Sequence, residues 1–477
     1  MAGFKLKKSL LDHHKPEAPR ILLCFDFGTA ACKAAASIGS ANKLFLFELG
    51  KTSGDRANRY PISSSLFLSA KNRLYFGHEA IRESQLQKEF VVRRMDSIKS
   101  WMSHGEMADL DCVLVEQAFN PTAQQFTRGD AITMLLAFVL DMVTTQLQGK
   151  FGVRYVKRRF TRPVWDPVRS GWYDELMVRY LTRAQLVADT LSGCWKDGLP
   201  MTVIQEVLDQ ARTVELPMWL VEASGALEPI AAGVSRLERE YDHRSLAVVV
   251  DIGAGTTDMA ALSAIQPYGE GEVRKAYPQG IPSSELNAGD VLDGILRNHI
   301  LNGLRTPAAD LGALQAQAEQ NMRLWKEQLF THGSVQPTFA GGIVAKEVHL
   351  EGFLGLRVVK EFEAVVSQQF QRILDSITSV ARLYAESPYH PLSNISLIPA
   401  GGGARLPVVT RLAGVRKLGG ANFEIKSMGY EPRWFSREYG GDPDLFPKLA
   451  VAIGGSSPSL PGVGNSRLFA NLKSAAN

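Results

Sequence analysis

Apolar residues along the chain follow two rhythms. Short runs bounded by turn residues, ILLCFDFG at 21–28, LFLFEL at 44–49 and SLAVVVDIG at 245–253, have the density of buried β-strands. Longer stretches, GDVLDGILRNHILNGL and EFEAVVSQQFQRILDSITSVARLYA, repeat apolar side chains at helical spacing. Together they predict an α/β protein. The most apolar window, ITMLLAFVLDMVTTQL at 132–147, is interrupted by Asp141 and falls short of a bilayer span, so a core helix is expected there. The opening segment, MAGFKLKKSLLDHHKPEAPR, has lysines but neither an apolar stretch nor a cleavage site, and residues 1–19 are expected to form a mobile tail. Pro, Gly and Ser density rises in GGSSPSLPGVGNSRLFANLKSAAN, so 456–477 is expected to be a second tail.

Composition narrows the field. A chain of 477 residues with 45% hydrophobic and 21% charged side chains is large enough for two or more domains. A net charge of +4 is too small to imply nucleic acid or membrane as an obligatory partner. Cys24, Cys32, Cys112 and Cys194 show no paired spacing, so neither a zinc site nor a disulfide framework is indicated, and a reducing, cytoplasmic setting is expected. The basic cluster RYVKRRFTR at 154–162 reads more readily as a solvated face than as an anion site.

An internal echo organises the remaining signals: LLCFDFGTAACKAAA near the start and AVVVDIGAGTTDMAA near the middle. Each is an apolar strand ending in Asp-x-Gly, then a Gly/Thr turn, then small residues suited to a return strand, which implies two related halves. Gly28, Gly253 and Gly255 let backbone N–H groups approach phosphate oxygens, and Thr29, Thr256 and Thr257 add hydroxyl donors. A buried aspartate is costly without a partner. Asp26 and Asp251, at the two strand ends, are therefore expected to face Mg2+ carried by the phosphates. A third glycine-rich element, ISLIPAGGGARLPVV, follows another strand, and a base and ribose can lie against Gly401, Gly402 and Gly403.

On these motifs the chain resembles the actin-like ATPase superfamily, and within it the nucleotide-binding domain of the seventy-kilodalton heat-shock chaperones. FDFGT at 25–29 is similar to the first phosphate motif of that family, DIGAGTTD at 251–258 to the second, and GGGARLP at 401–407 to the adenosine motif. EPIAAG at 228–233, NAGDVLDGIL at 287–296 and DPDLFPKLAVAIGG at 442–455 resemble further family segments, so the likeness covers roughly residues 20–455. It implies a two-lobed fold of duplicated ribonuclease-H-like domains with a nucleotide cleft between them. The first lobe would occupy 20–244, with an insertion at about 150–212, and the second 245–455.

The resemblance also implies roles. Asp26 and Asp251 would hold magnesium largely through its water shell, with Glu228 in the same shell, and Asp251 or Asp258 would orient the attacking water. The cation near the outer phosphate would be Lys99 in VRRMDSIKSWM, with Arg93 and Arg94 as alternatives. Lys326 would reach the ribose, Arg405 would stack on the base, and Asp444 would stand near the pocket. Glu327 and Phe330 depart from the family, replacing residues that pack on and hydrogen-bond to adenine. Within the insertion, Trp165, Trp172 and Trp195 suggest a partner-docking surface, whereas surface helices are the plainer account.

After Gly455 no sequence like the family's peptide-binding domain is read. The resulting expectation is an ATP-binding, slowly hydrolysing, chaperone-like switch that passes between ATP and ADP states and signals through a protein partner. An actin-like filament subunit is the alternative, and a small-molecule kinase of the same superfamily a more distant one.

Overall fold

The computed structural model describes residues 4–39, 43–54, 58–87, 92–239, 244–265, 274–304, 311–388, 391–440 and 442–461. Most of the expected C-terminal tail, 462–477, lies outside the described residues. The chain is a mixed α/β protein built around two six-stranded sheets.

The two sheets repeat one topology. In the first, Ile21–Phe27 pairs antiparallel with Ala31–Ile38, which pairs antiparallel with Lys43–Leu46. On its other side Ile21–Phe27 runs parallel to Lys157–Arg162, which runs parallel to Ala226–Leu227. In the second, Arg244–Ile252 pairs antiparallel with Thr257–Ile265, which pairs antiparallel with Lys275–Glu285. On its other side Arg244–Ile252 runs parallel to Asn394–Ala400, which runs parallel to Ala421–Ser427. The echo in sequence is thus an echo in topology, and both Asp-x-Gly segments end the strand at the same place in their sheets.

Helices cover both faces, which is why strands Ile21–Phe27 and Arg244–Ile252 are apolar along most of their length. Helix Arg128–Phe151 begins at a capping box between Thr127 and Asp130 and ends at Gly152 in the left-handed conformation. It is longer than its apolar window suggested, and its length and composition would suit a bilayer, yet 89% of its most apolar window is buried inside the protein. Asp141, the interruption in that window, accepts a hydrogen bond from Trp195 Nε1 at 3.0 Å through Oδ2, which offsets part of the cost of burying it. Helix Pro167–Leu191 starts from an Asp166 cap with Pro167 in its first turn. A first core packs on the first sheet and a second on the second sheet, and a third joins them: helices Glu228–Leu237 and Leu445–Gly455 pack between residues of both. Their contact is tight enough that a Cβ on Gly454 would lie 1.7 Å from the Ala231 carbonyl oxygen.

Several sequence expectations are corrected. The segment 4–19 is packed down: Leu6 and Leu10 are buried in the first core, Leu6 N–H donates to Gln210 Oε1 at 3.0 Å, and Ser9 Oγ bonds Tyr155 OH at 2.7 Å. The start of the expected C-terminal tail is anchored too, with Ser457 and Ser459 hydroxyls both donating to Glu238 Oε2. The stretch 150–212 is no peripheral insertion, because it supplies the central strand Lys157–Arg162. Trp195 is buried against Phe76 and Phe138, and Trp165 and Trp172 pack against the same core, so these rings serve packing. Nor is the basic cluster a solvated face. Arg154 pairs with Asp189, Arg159 with Glu222 and Arg162 with Asp174, while the fully buried Arg158 bonds the Gln185 side chain.

Candidate active site

The reactive side chains gather where parallel strands end. Asp26 stands at the carboxyl end of Ile21–Phe27, and Glu228 directly follows strand Ala226–Leu227 as the first residue of its helix. In the second sheet Asp251 stands opposite Ala400, the last residue of its parallel neighbour, and Gly401 follows at once. Parallel α/β sheets place ligands at these ends, where side chains from several strands and helix starts converge.

Hairpin register then sets the charges. Asp26 lies opposite Lys33, whose ammonium donates to Asp26 Oδ2 at 3.0 Å. Asp251, at the equivalent place, lies opposite Asp258. One half therefore carries a neutralised aspartate and the other two like charges on adjacent strands, an arrangement that disfavours ionisation. Burial, followed by the charges of Glu228, Asp258 and Asp26, holds the Asp251 carboxyl well above the usual range, with Lys33 opposing. Asp258 is also raised by burial, although the Thr256 hydroxyl and a 3.0 Å bond from the Val164 N–H ease it.

Lys99 and Glu228, both expected catalytic residues, meet in a buried ion pair of 2.6 Å and are 3% and 8% exposed. Burial and the charges of Asp258 and Asp26 push Glu228 up to about 7 in spite of Lys99. Burial pulls the Lys99 ammonium down, but Glu228, Tyr173 and Asp26 outweigh it, and its pKa is raised. The alternatives to Lys99 are engaged elsewhere: Arg93 pairs with Glu319 at 3.4 Å, and Arg94 donates to Ser84, Asp96 and the Gln320 carbonyl.

The two Gly/Thr turns touch. A Cβ at Gly255 would sit 2.8 Å from Thr29 Oγ1, and one at Gly28 would strike the Ala31 carbonyl oxygen at 2.3 Å. Gly253 N–H closes the second turn on Thr256 O at 2.9 Å, and Gly289 N–H donates to Gly253 O at 3.0 Å. Thr257 points away from this space: its hydroxyl donates to the Asn287 carbonyl at 2.7 Å, so it holds the start of helix Gly289–Asn302 in place of a phosphate oxygen.

The third glycine element abuts the second turn. Gly401 adopts φ 75°, and a Cβ there would lie 2.3 Å from Asp251 Oδ1. Gly403 N–H donates to Ile252 O at 2.9 Å, whereas a Cβ at Gly402 would meet open space. Arg405 and Asp444 do come together, as an ion pair, and Arg405 also lies 4.8 Å over the Tyr430 ring. Lys326 pairs with Asp293 at 2.7 Å beside Gly289. Glu327 is exposed, and Phe330 lines a small apolar cavity with Leu292, Phe362 and Leu406.

Sequence reasoning missed Lys33, Asp293 and Tyr430. Lys33 had a readable signal, because it follows Asp26 by seven positions as Asp258 follows Asp251, and hairpins of equal length place both directly opposite. Among the described residues no three His, Cys, Asp or Glu side chains converge tightly enough to hold a bare metal ion. The donors are all carboxylates, the ligands of a hard divalent cation, which they would reach through its bound water. No protein-family model matches this sequence, and no curated protein matches it significantly.

Proposed function

We propose that the chain is a Mg2+-dependent, slowly turning-over ATPase of the actin-like kind, related to the nucleotide-binding domain of the seventy-kilodalton heat-shock chaperones. In this reading the two sheets are the cores of two ribonuclease-H-like lobes, and nucleotide lies in the cleft between them. One observation carries the proposal. Two sheets of the same topology bring Asp26, Glu228, Asp251 and Asp258 into one buried neighbourhood beneath two touching Gly/Thr turns.

The chemistry follows from the charges. Four carboxyl groups crowd against only Lys33 and Lys99, so they hold protons more tightly than usual, and a divalent cation can take the place of those protons. Bound there, magnesium neutralises phosphate charge as it develops in phosphoryl transfer. Asp26 and Asp251 would hold the ion through its bound water, and the Thr29 hydroxyl and the backbone of both turns would position the phosphates. Lys99 steadies the transferred group, while Asp251 or Asp258 orients the attacking water. Glu228, buried beside Lys99 in the same neighbourhood, can accept the proton that water gives up as its oxygen bonds to phosphorus and the bond to the leaving diphosphate breaks.

Closure of the lobes on the triphosphate and loosening after hydrolysis would make a switch, read by a protein partner with different affinity for the two states. The test is to incubate the chain with Mg·ATP, measure phosphate release and any transfer to small-molecule acceptors, and compare its compactness with ATP and ADP by solution scattering. Slow release to water and a more compact ATP state support the reading. Phosphate on an acceptor, or compaction indifferent to nucleotide, would overturn it.

A further inference from the structure

We propose that His104 is the ligand of the outermost phosphate, the residue by which the site tells a nucleoside triphosphate from a diphosphate; this rests on the nucleotide reading above. The second turn has two distinguishable ends. At Gly253 it is held by Gly289, and a Cβ on Gly289 would stand 3.1 Å from Gly253 O and 3.4 Å from Lys326 Nζ. Gly401 and Gly403 crowd the adjoining Asp251 and Ile252, so Lys326 and these two glycines, all assigned to the nucleoside, lie toward this end. At Gly255 the turn meets other residues. A Cβ there would lie 2.8 Å from Thr29 Oγ1 and 3.6 Å from His104 Cε1, so the glycine lets the two turns close on each other with the His104 imidazole at the edge of their contact. A phosphate chain laid along the turn from its nucleoside end brings its terminal group to this edge.

His104 is placed to receive that group. It caps the short helix Ser100–Ser103, whose other end is Lys99 in its buried pair with Glu228. Its N–H donates to the Ser100 carbonyl at 2.8 Å, and Arg169 grips the backbone on either side through the carbonyls of Met102 at 3.2 Å and Gly105 at 3.1 Å. The backbone is thus fixed while the side chain is exposed, and its ring has no hydrogen-bond partner among the described residues. An imidazole N–H is a ready donor to a phosphate oxygen, and the bond strengthens when the acceptor is charged. Nothing in the sequence singles out His104, because its nearness to Gly255 depends on how the two halves meet.

The test measures dissociation constants of Mg·ATP and Mg·ADP by calorimetry for the wild type, His104→Ala and His104→Arg, with melting temperatures as a check on folding. Loss of one hydrogen bond to a charged oxygen should weaken ATP binding by roughly tenfold in His104→Ala. ADP binding should stay within about twofold of wild type, since its shorter chain does not reach His104. His104→Arg, which keeps a donor, should recover most of the preference. Equal weakening of both nucleotides, or none, in folded His104→Ala overturns the role of His104 and leaves the nucleotide site standing. A wild type that binds neither nucleotide overturns both.

Discussion

Glu228→Gln should change how stability depends on pH, by an amount that follows from the site. The Glu228 carboxyl titrates at about 7 in the fold against an ordinary 4.5. Because the folded state holds this proton more tightly, the unfolded chain releases it first as pH rises. Stability is therefore lost between pH 4.5 and 7 and is level above. At about 1.4 kcal/mol per pH unit the loss comes to about 3 kcal/mol, most of it between pH 5 and pH 8. Lys99 stays protonated throughout that range, since its pKa is raised, and contributes a constant. Glutamine keeps the shape and removes the titration. It also removes one of the charges that raise Asp251, which acts in the same direction. Urea unfolding followed by tryptophan fluorescence, in the metal-free protein at pH 5 and pH 8, should show Glu228→Gln gaining about 2 to 3 kcal/mol on the wild type between the two pH values. Whatever constant penalty the unpaired Lys99 imposes cancels from this difference. An equal gap between the two proteins at both pH values, or a movement in the opposite direction, would refute the reasoning.

Other substitutions probe other parts of the account. Lys33→Met removes the 3.0 Å partner of a buried Asp26 and should cost about 3 kcal/mol in urea unfolding; a cost under about 1 kcal/mol would show that the pair is solvated. Gly401→Ala forces a side chain into a φ of 75° and within 2.3 Å of Asp251 Oδ1, so it should cost about 3 kcal/mol and weaken nucleotide binding; a silent substitution contradicts the close approach. Leu10→Ala should destabilise by about 2 to 5 kcal/mol if the N-terminal segment belongs to the first core, whereas a loose tail would leave the melting temperature unmoved.

The parts of the molecule legible in sequence are those fixed by short-range rules. Two hairpins announce themselves by apolar runs, Asp-x-Gly and small residues over fewer than twenty positions, and both appear where expected. The pairing of Lys99 with Glu228 was foreseen only as two roles assigned through a resemblance, and the distance between them is a product of the fold. What stayed hidden depends on partners remote in sequence. The strand Lys157–Arg162 reads as a basic surface because the groups that satisfy its arginines, Glu222, Asp174 and Gln185, come from later elements. Leu6 and Leu10 are two apolar residues in a lysine-rich stretch, too few to mark a buried segment until Gln210 and Tyr155 are brought beside them. Thr257 looked like a phosphate donor by type, but its place on the return strand turns its hydroxyl toward Asn287.

The central claim is that carboxylates from two related sheets serve one hydrated cation beneath one nucleotide. Calorimetric titration of ATP into the wild type and into the Asp26→Asn, Asp251→Asn double variant, each with magnesium and with chelator, tests it directly. The account predicts one ATP per chain, bound only with magnesium and lost in the folded double variant. Magnesium-dependent binding that survives both substitutions, or a wild type that binds ATP equally well in chelator, would contradict it.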